Sequence, residues 1–404
     1  MKLKLNKESI RNILTIRYNP LEKTMFKKKT WQDFRTIYSD SHGRRTELLL
    51  KKSIQKSLLK KKGPICVSLS SGIDSSLSLA LLRKVFPNRK IVGICAVFDT
   101  GFDESKQAKK IASKFDADFK IIHIGSMFRN MPELISIAGK PRWNTYTHFV
   151  AKEARKMSKI LVTGDGADEL FGGYTFRYKK FLTLHRPKDN WKIKTINYLE
   201  CHNRDWVPDQ EYLFGSSIKF NWNVIYNFFK QYFSNPLEPL QQVMLADFNG
   251  KFLFDFLPTN YSIYNHYGIS GNSIFLESEL MDFVNHLPVT QKYNIKNNQG
   301  KLILRKIAKR LEVAHIDEKR GFSPSLLMDW NIQGRDISKS FLLEKNSYIY
   351  KNKLINYNWV IRAFERIDND NDIRYLNRII SILALEIWYR IFITNELNKT
   401  KKLT

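Results

Sequence analysis

The 404-residue sequence predicts an α/β protein in which a doubly wound parallel sheet is followed by a mainly helical carboxy-terminal part. Three observations lead to this prediction. Short apolar runs alternate with amphipathic segments between residues 65 and 163. The run at residues 91–98 is continuously apolar, which is typical of a strand buried on both faces. Beyond Tyr174 the alternation stops, and long aromatic and Leu/Ile-rich stretches follow.

The individual elements follow from the spacing of apolar residues. Residues 44–62 predict an amphipathic helix, because Leu and Ile recur at helical spacing between lysines, and Gly63-Pro64 ends it. Four strands and three further helices then alternate along the chain. The predicted strands are residues 65–69, 90–97, 119–124 and 159–163, and the predicted helices are residues 75–85, 104–115 and 144–157.

Composition limits the class of protein. An apolar fraction of 43% and an aromatic fraction of 13% exclude wholesale disorder. The longest apolar stretch, residues 379–394, contains Glu386 and Arg390, which favours a buried amphipathic helix over a membrane span. The three cysteines have no metal-binding or disulfide spacing. We therefore expect a soluble, reduced, cytoplasmic protein that does not enter a membrane.

The charge is strongly positive and unevenly distributed. Lys and Arg number 67 against 39 Asp and Glu, a net charge of +28. Residues 1–62 alone hold 18 basic and 5 acidic side chains. Nucleic acid is one partner that such a segment can bind, but a solvated lysine-rich face is favoured because no RNA-binding motif accompanies it. We divide the chain into a basic segment (1–43), an α/β core (44–185) and a mainly helical part (186–404) that completes the site.

The first motif, residues 70–76, lies where the first predicted strand turns directly into a helix. Backbone N–H groups at a glycine-containing turn, together with a helix amino terminus, form an anion site. Asp74 suits a phosphate only if a divalent cation lies between them, which indicates Mg²⁺. A helix capped by Asp74 or Ser75 explains the same residues equally well. The candidate nucleotide-binding residues are Ser70, Ser71, Gly72, Asp74, Ser75 and Ser76.

The second motif, residues 163–174, follows the fourth predicted strand. Its many carboxylates and glycines suit a backbone that approaches a ligand closely and holds cations, rather than a surface turn. Because it follows a strand of a parallel sheet, it is expected at the carboxyl edge, where open α/β sheets bind ligands. The carboxylates are Asp165, Asp168 and Glu169, and the glycines are Gly164, Gly166, Gly172 and Gly173.

Both motifs resemble those of a known family. The first resembles the PP-loop of ATP pyrophosphatases, with Ser71 where glycine is commoner, and a serine fits there if its φ angle is negative. The second, Thr-Gly-Asp-Gly-Ala-Asp-Glu-Leu-Phe-Gly-Gly-Tyr, closely resembles the signature of glutamine-dependent asparagine synthetases. Residues 300–305 and 318–322 resemble that family's Lys-x-x-Leu-Arg and Lys-x-Gly-Phe segments. The resemblance covers about residues 45–395.

The resemblance carries expectations about the fold and the site. It implies an adenine-nucleotide α-hydrolase-like fold in which Asp74 and Asp168 are catalytic and hold Mg²⁺ on the pyrophosphate of ATP. It implies that Lys319 contacts the phosphate on which charge develops, a role that suits a mobile ammonium. The further residues that it places against the nucleotide are Val97, Thr163, Gly164 and Asp165.

Two departures from the family affect the substrates. Only about 45 residues precede the synthetase-like region, with no cysteine before Cys66, so a glutaminase domain is not expected. Nitrogen would then come from free ammonia, a separate glutaminase or an amine. In residues 270–277, Ser270 and Asn272 replace the family's Glu and Arg, and Arg is the residue suited to binding carboxylates. Aspartate recognition would then need another cation, such as Arg142 or Arg305.

We therefore expect an ATP- and Mg²⁺-dependent amide ligase that adenylates a carboxylate, with aspartate favoured, and then lets ammonia or an amine displace AMP. A lactam- or peptide-amide-forming synthetase is the first alternative. A PP-loop RNA-modifying enzyme is the second, disfavoured by the missing paired cysteines and by the Leu-Phe-Gly-Gly-Tyr segment. A non-enzymatic remnant is the third, disfavoured because Asp74, Asp168 and Lys319 are intact.

Overall fold

The computed structural model of the chain, which describes residues 5–313 and 324–404, contains a five-stranded parallel sheet. Its strand order is β3-β2-β1-β4-β5. This confirms the doubly wound sheet, and the four predicted strands begin and end within one residue of their predicted bounds. The strands are β1 (Ile65–Ser68), β2 (Ile91–Phe98), β3 (Asp118–Ile124), β4 (Ile160–Thr163) and β5 (Ser270–Ser273), and a separate hairpin pairs β6 (Tyr293–Asn294) with β7 (Gln299–Gly300).

Helices make up most of the remainder, as predicted for the part of the chain beyond Tyr174. A 3₁₀ turn covers Trp31–Phe34, and wide π-type turns cover Phe248–Phe256 and Trp330–Gly334. The α-helices are α1 (Lys7–Ile16), α2 (Arg44–Leu58), α3 (Ile73–Val85), α4 (Ser105–Lys114), α5 (Met127–Ala138), α6 (Thr147–Arg155), α7 (Ala167–Phe171), α8 (Thr175–Leu184), α9 (Trp191–Glu200), α10 (Gln210–Leu213), α11 (Trp222–Phe233), α12 (Pro239–Asp247), α13 (Leu257–Tyr267), α14 (Ser278–Asn285), α15 (Val289–Lys292), α16 (Leu302–Arg310), α17 (Leu326–Asp329), α18 (Arg335–Leu342), α19 (Tyr348–Lys351), α20 (Tyr357–Asp370) and α21 (Ile373–Phe392).

Alternate side chains of the strands enter two separate cores, as the pleat of a sheet requires. Ile65 and Val67 of β1 pack in the core that includes α2, α3 and α4, whereas Cys66 faces α6 and α13 on the opposite face. The sheet is therefore covered on both sides, which explains why β2 is apolar throughout. The strand order reverses around β1, so the loops after β1 and β4 meet at the carboxyl edge where such folds bind ligands.

The fifth strand was not predicted. Its sequence, Ser-Gly-Asn-Ser, has no hydrophobic pattern, and each residue is half-buried. It forms because it extends the sheet beside β4, with Thr163 opposite Ser273. Residues 270–273 thus reach the ligand-binding edge from the mainly helical part of the chain.

The carboxy-terminal helix α21 confirms the predicted buried helix. Glu386, 1% exposed, accepts hydrogen bonds from the backbone N–H groups of Tyr348 and Ile349 at 3.1 Å and from Arg390 Nε at 2.8 Å. Its charge is therefore satisfied inside the protein, as a buried carboxylate requires. Among the helices in the described ranges, none is both long and apolar enough to cross a bilayer.

Lys292, at the end of α15, is a buried lysine that should weaken the fold. It is 2% exposed, and burial lowers its pKa to about 7. In the unfolded chain, the Lys292 amine keeps its proton up to about pH 10. Because the unfolded state therefore binds more protons than the folded state above pH 7, the free energy of unfolding of the wild-type protein should rise with pH in that range. Lys292→Met removes this cost, so its stability advantage should be larger at pH 7 than at pH 9, by about 2 kcal/mol. Urea unfolding of both proteins at the two pH values measures this, and an advantage that does not change with pH would contradict it.

Candidate active site

The first motif forms a compact loop held together by its own hydroxyl groups. Ser75 Oγ accepts the Ser70 N–H at 3.0 Å and lies 2.8 Å from Ser70 Oγ, and Ser76 Oγ donates to the carbonyl of Gly72 at 2.8 Å. Gly72 is the N-cap of α3, so the expectation of a cap at Asp74 or Ser75 is wrong. The first turn of α3 therefore directs its backbone N–H groups and its positive dipole end into this loop.

Glu104, the residue before α4, occupies hydrogen-bond donors of this loop. Its Oε2 accepts the Ser71 N–H at 2.8 Å and the Ser71 hydroxyl at 2.5 Å. The φ angle of Ser71 is not positive, so a serine fits at this position as expected. Glu104 thus accepts the two hydrogen bonds that Ser71 would otherwise be able to donate to a phosphate oxygen.

The two motifs lie directly against each other at the carboxyl edge. A Cβ atom placed on Gly164, which follows β4, would lie 3.1 Å from Cβ of Asp74. The glycine therefore allows the close approach. Gly166, with φ +88°, then turns the chain into α7, whose first turn carries Asp168.

Lys301 joins the carboxylates of the two motifs. Its ammonium contacts Asp74 and lies 2.7 Å from Asp168 Oδ1. Burial opposes the charge of the ammonium, but the Asp168 and Asp74 carboxylates outweigh it and raise the pKa of Lys301. Gly173 packs so closely that an added Cβ would lie 2.7 Å from Lys301 Cε. Asp74 and Asp168 therefore form a position that holds a cation.

The donor set at this position fits Mg²⁺. The contact of both carboxylates with one ammonium shows that they can share a single cation. Mg²⁺ prefers oxygen ligands and is commonly held by one or two carboxylates together with substrate phosphates. In residues 5–313 and 324–404, no group of three or more His, Cys, Asp or Glu could hold a metal by itself. A cation here would therefore be shared with the phosphates of a nucleotide.

Asp165 is held by donors on three sides. Thr163 Oγ1 donates to Oδ2 at 2.8 Å, Asn260 Nδ2 at 3.1 Å and the Tyr264 hydroxyl at 3.4 Å. Burial raises the pKa of Asp165, although these hydrogen bonds act in the opposite direction. Val97 is buried near the carboxyl end of β2, two strands from β4. The residues expected beside adenosine thus lie at the ends of strands that flank the first motif.

The remaining predicted residues are Lys319, Ser270 and Asn272. Lys319 lies outside the described residues. Ser270, opposite Ile160, lies at the amino end of β5, away from the two motifs. Lys61 Nζ donates to Ser270 Oγ at 2.6 Å and to Asn272 Oδ1 at 2.8 Å. A lysine thus contacts both positions where the family has Glu and Arg.

The two arginines considered as replacement cations are engaged in other contacts. Arg142 lies 2.7 Å from Asp255, and Arg305 Nε donates to the Gly300 carbonyl at 2.9 Å. Sequence reasoning missed two residues of the site, Glu104 and Lys301. Lys301 had a signal, since it opens the Lys-x-x-Leu-Arg segment, whereas nothing in the sequence around Glu104 indicates its contact with Ser71.

Comparison with known proteins identifies the family. The Asparagine synthase family profile matches residues 45–390. The chain is 32% identical to asparagine synthetase [glutamine-hydrolyzing] 1 of Bacillus subtilis over 30% of this chain and 20% of that protein. It is 35% identical to a putative asparagine synthetase [glutamine-hydrolyzing] of Mycobacterium tuberculosis over 30% of this chain and 19% of that protein. The aligned part thus spans about a fifth of the length of these relatives.

Solved structures include a weaker match. The NH3-dependent NAD synthetase of Campylobacter jejuni is 13% identical, covers 48% of this chain and 98% of its own, and has a TM-score of 0.25. The family profile, in contrast, spans both motifs, β5 and the Lys-x-x-Leu-Arg segment. The chain belongs to the asparagine synthase family.

Proposed function

We propose that this chain is an ATP-dependent amide ligase that releases AMP and pyrophosphate. The observation that carries the proposal is the contact between the two motifs, with Asp74 and Asp168 sharing one cationic partner at the carboxyl edge. This arrangement suits a nucleoside triphosphate that carries Mg²⁺ on its phosphates. It occurs in a chain of the asparagine synthase family.

In the first step, an oxygen of the substrate carboxylate bonds to the α-phosphorus of ATP. The bond from that phosphorus to the bridging oxygen of the β-phosphate breaks, and pyrophosphate leaves. The N–H groups and hydroxyls of residues 70–76 would hold the leaving pyrophosphate. Mg²⁺, held by Asp74 and Asp168 when bound, would screen its charge. The Lys301 ammonium would give up its place between the two carboxylates to Mg²⁺. It would then contact a phosphate oxygen instead.

In the second step, ammonia or an amine attacks the acyl carbon, the bond to AMP breaks, and the nitrogen loses a proton. Adenylation already supplies a good leaving group, so the chain mainly positions the reactants and excludes water. Lys319 is proposed to contact the α-phosphate in both steps, by resemblance to the family's Lys-x-Gly-Phe segment.

Aspartate is the acid that we propose, with free ammonia or a separate glutaminase as the nitrogen source. The substitutions at Ser270 and Asn272 argue less strongly against aspartate than the sequence implied, because Ser270 lies at the amino end of β5 and both side chains contact Lys61. Pyrophosphate release with MgATP and ammonium, measured across aspartate, glutamate, succinate and N-acyl aspartates, tests the assignment. If another acid gives pyrophosphate release above the no-acid control and aspartate does not, the assignment of aspartate as the substrate is wrong. The ligase mechanism would still stand in that case.

Glu104 gives a further prediction about this site. Its carboxylate and a phosphate oxygen need the same donors on Ser71. Glu104→Gln should therefore strengthen binding of magnesium pyrophosphate roughly fivefold, because a negative charge near the phosphate is removed. Isothermal titration calorimetry measures this, with Asp103→Asn as the control, since that neighbouring carboxylate accepts the Ser105 N–H instead. Weaker binding by Glu104→Gln would show that the carboxylate holds the loop in its binding shape, contrary to this prediction.

A further inference from the structure

A cavity between α9 and α11 shares no lining residue with the two motifs. We call it the aromatic pocket. Its volume is about 140 Å³. An apolar cavity of about 150 Å³ is large enough to bind benzene, so this one has room for a compact ligand group of that size. The pocket is lined by Ile196, Leu199, Glu200, Trp206, Pro208, Trp222 and Tyr226.

Two helices and the segment after α9 bring these side chains together. Trp222 and Tyr226 are four residues apart on α11 and therefore lie on one face of that helix. Glu200 is the last residue of α9, which packs against α11. Trp206 follows α9, and its Nε1 donates to the Leu199 carbonyl at 3.0 Å, which fixes the indole ring at the wall of the pocket.

Three aromatic rings form walls of the pocket. Trp206 and Trp222 meet at 83° with their centroids 5.6 Å apart, and Trp222 and Tyr226 are stacked at 15° with centroids 5.7 Å apart. A group in the corner between two rings at nearly right angles faces the π surface of both. Because that surface is the negative side of the ring quadrupole, the corner attracts a cation.

The charges around the pocket have the same preference. Among the described residues that line it, Glu200 is the one acidic side chain and none is basic. Two exposed lysines lie at the rim: Lys192 Nζ is 5.8 Å from the Tyr226 ring centroid, and Lys180 Nζ is 3.2 Å from Glu200 Oε2. The ring and the carboxylate thus already attract ammonium groups of the chain. Exposed pairs of this kind contribute little free energy, so a ligand can displace them.

The polar atoms of the pocket favour an alkylated ammonium over a primary one. A primary ammonium has three N–H donors that need acceptors. The Glu200 carboxylate is one acceptor, but the Leu199 carbonyl already accepts a hydrogen bond from Trp206. N-methyl groups need no acceptor and pack against aromatic and aliphatic walls. The displaced rim lysines would then be able to pair with an anionic group of the same ligand.

We propose that the aromatic pocket binds a small molecule in which a quaternary ammonium is joined to a phosphate. The ammonium would lie against Trp206 and Trp222, with Glu200 beside it. The phosphate would accept hydrogen bonds from Lys180 and Lys192. A phosphatidylcholine membrane presents the same head group. We assign the site to the free molecule, because two lysines match the charge of a phosphate monoester better than the single charge of a lipid phosphodiester.

Calorimetry at constant ionic strength measures binding of phosphocholine to the full chain without ATP. Phosphocholine should bind. The analogue in which a tert-butyl group replaces the trimethylammonium has the same shape and phosphate but no positive charge, and it should bind at least ~10-fold more weakly. Equal binding of the two compounds would show that the pocket is only apolar and would overturn the proposal. Absence of phosphocholine binding at millimolar concentration would also overturn it.

Variants test the individual contacts. Trp222→Leu should weaken phosphocholine binding at least ~10-fold. Glu200→Gln should weaken it roughly fivefold, because it removes the negative charge without changing the size of the side chain. Lys192→Met should weaken binding of phosphocholine but not of choline, which has no phosphate. Tyr212→Leu is the matched control, since this aromatic side chain is 61% exposed and does not line the pocket, and it should bind phosphocholine as wild type does.

The outcomes separate the parts of the proposal. If Trp222→Leu fails to fold, Glu200→Gln decides, and unchanged binding by that variant would overturn the site. An equal loss of choline and phosphocholine binding in Lys192→Met would overturn the contact with the phosphate. Vesicles of phosphatidylcholine distinguish the two sources of the head group. The chain should not sediment with them, and sedimentation that excess phosphocholine prevents would overturn the assignment to a free molecule.

Discussion

Asp168→Asn is expected to lower the rate of ATP cleavage at least ~10²-fold, with the fold unchanged. Asp168 and Asp74 share one cationic partner in the structure, so the amide would leave Asp74 as the only carboxylate of this pair. An amide cannot supply the negative charge that holds a divalent cation on pyrophosphate. Asp74→Ala should have an effect of similar size. Steady-state pyrophosphate release at saturating Mg²⁺ measures the rate, and circular dichroism checks the fold.

Asp118→Asn is the control for this change. It makes the same chemical substitution on the same sheet, but at the first residue of β3, where Asp118 pairs with Lys90 at the opposite edge. Its rate should match that of wild type. Full activity of Asp168→Asn at saturating Mg²⁺ would show that this carboxylate does not take part in the reaction.

Gly173→Ala is expected to lower the rate by a similar factor for a steric reason. A Cβ on Gly173 would lie 1.8 Å from Asp168 Oδ1 and 2.7 Å from Lys301 Cε, so both side chains must move. Displacement of a positioned group by about 1 Å can cost ~10²-fold in rate. The measurement is kcat for pyrophosphate release, together with the melting temperature, because steric strain also destabilises the fold.

Gly125→Ala is the matched control at the same edge of the sheet. Its added Cβ would meet Asp99 Oδ2 at 3.5 Å, an ordinary van der Waals distance, so activity should be retained. A Gly173→Ala enzyme with wild-type kcat would mean that Asp168 and Lys301 need not keep their observed positions for catalysis.

The parts of the fold that were predicted are those with a periodic or motif signal. β1, β2 and β4 are apolar runs, and the two motifs contain glycines and carboxylates in an unusual density. The meeting of the motifs at one edge follows from strand order. β5 has no such signal, because its pairing with β4 rather than its side chains makes it a strand. Helix α5 was also missed, since Pro132 lies inside it and Pro normally ends a helix.

The parts of the site that were missed depend on contacts between residues distant in sequence. Glu104 reaches Ser71 across 33 residues, and Lys301 reaches Asp74 across 227. The Glu104 contact leaves no local pattern, and the Lys301 contact has only the indirect signal that Lys301 opens the Lys-x-x-Leu-Arg segment. The position of Ser270 at the amino end of its strand likewise could not be read from the altered segment, because strand direction and register are set by pairing with β4.

On the proposed function, ATP is cleaved between its α- and β-phosphates in response to a carboxylic acid. The most direct measurement is product analysis with MgATP labelled on the α-phosphate or on the γ-phosphate, together with ammonium and the acid panel, in wild type and in Asp168→Asn. We expect AMP and pyrophosphate in equal amounts, dependent on the acid, with at least ~10²-fold less product from the variant. ADP and orthophosphate as the main products, or AMP formed at the same rate without any acid, would contradict it.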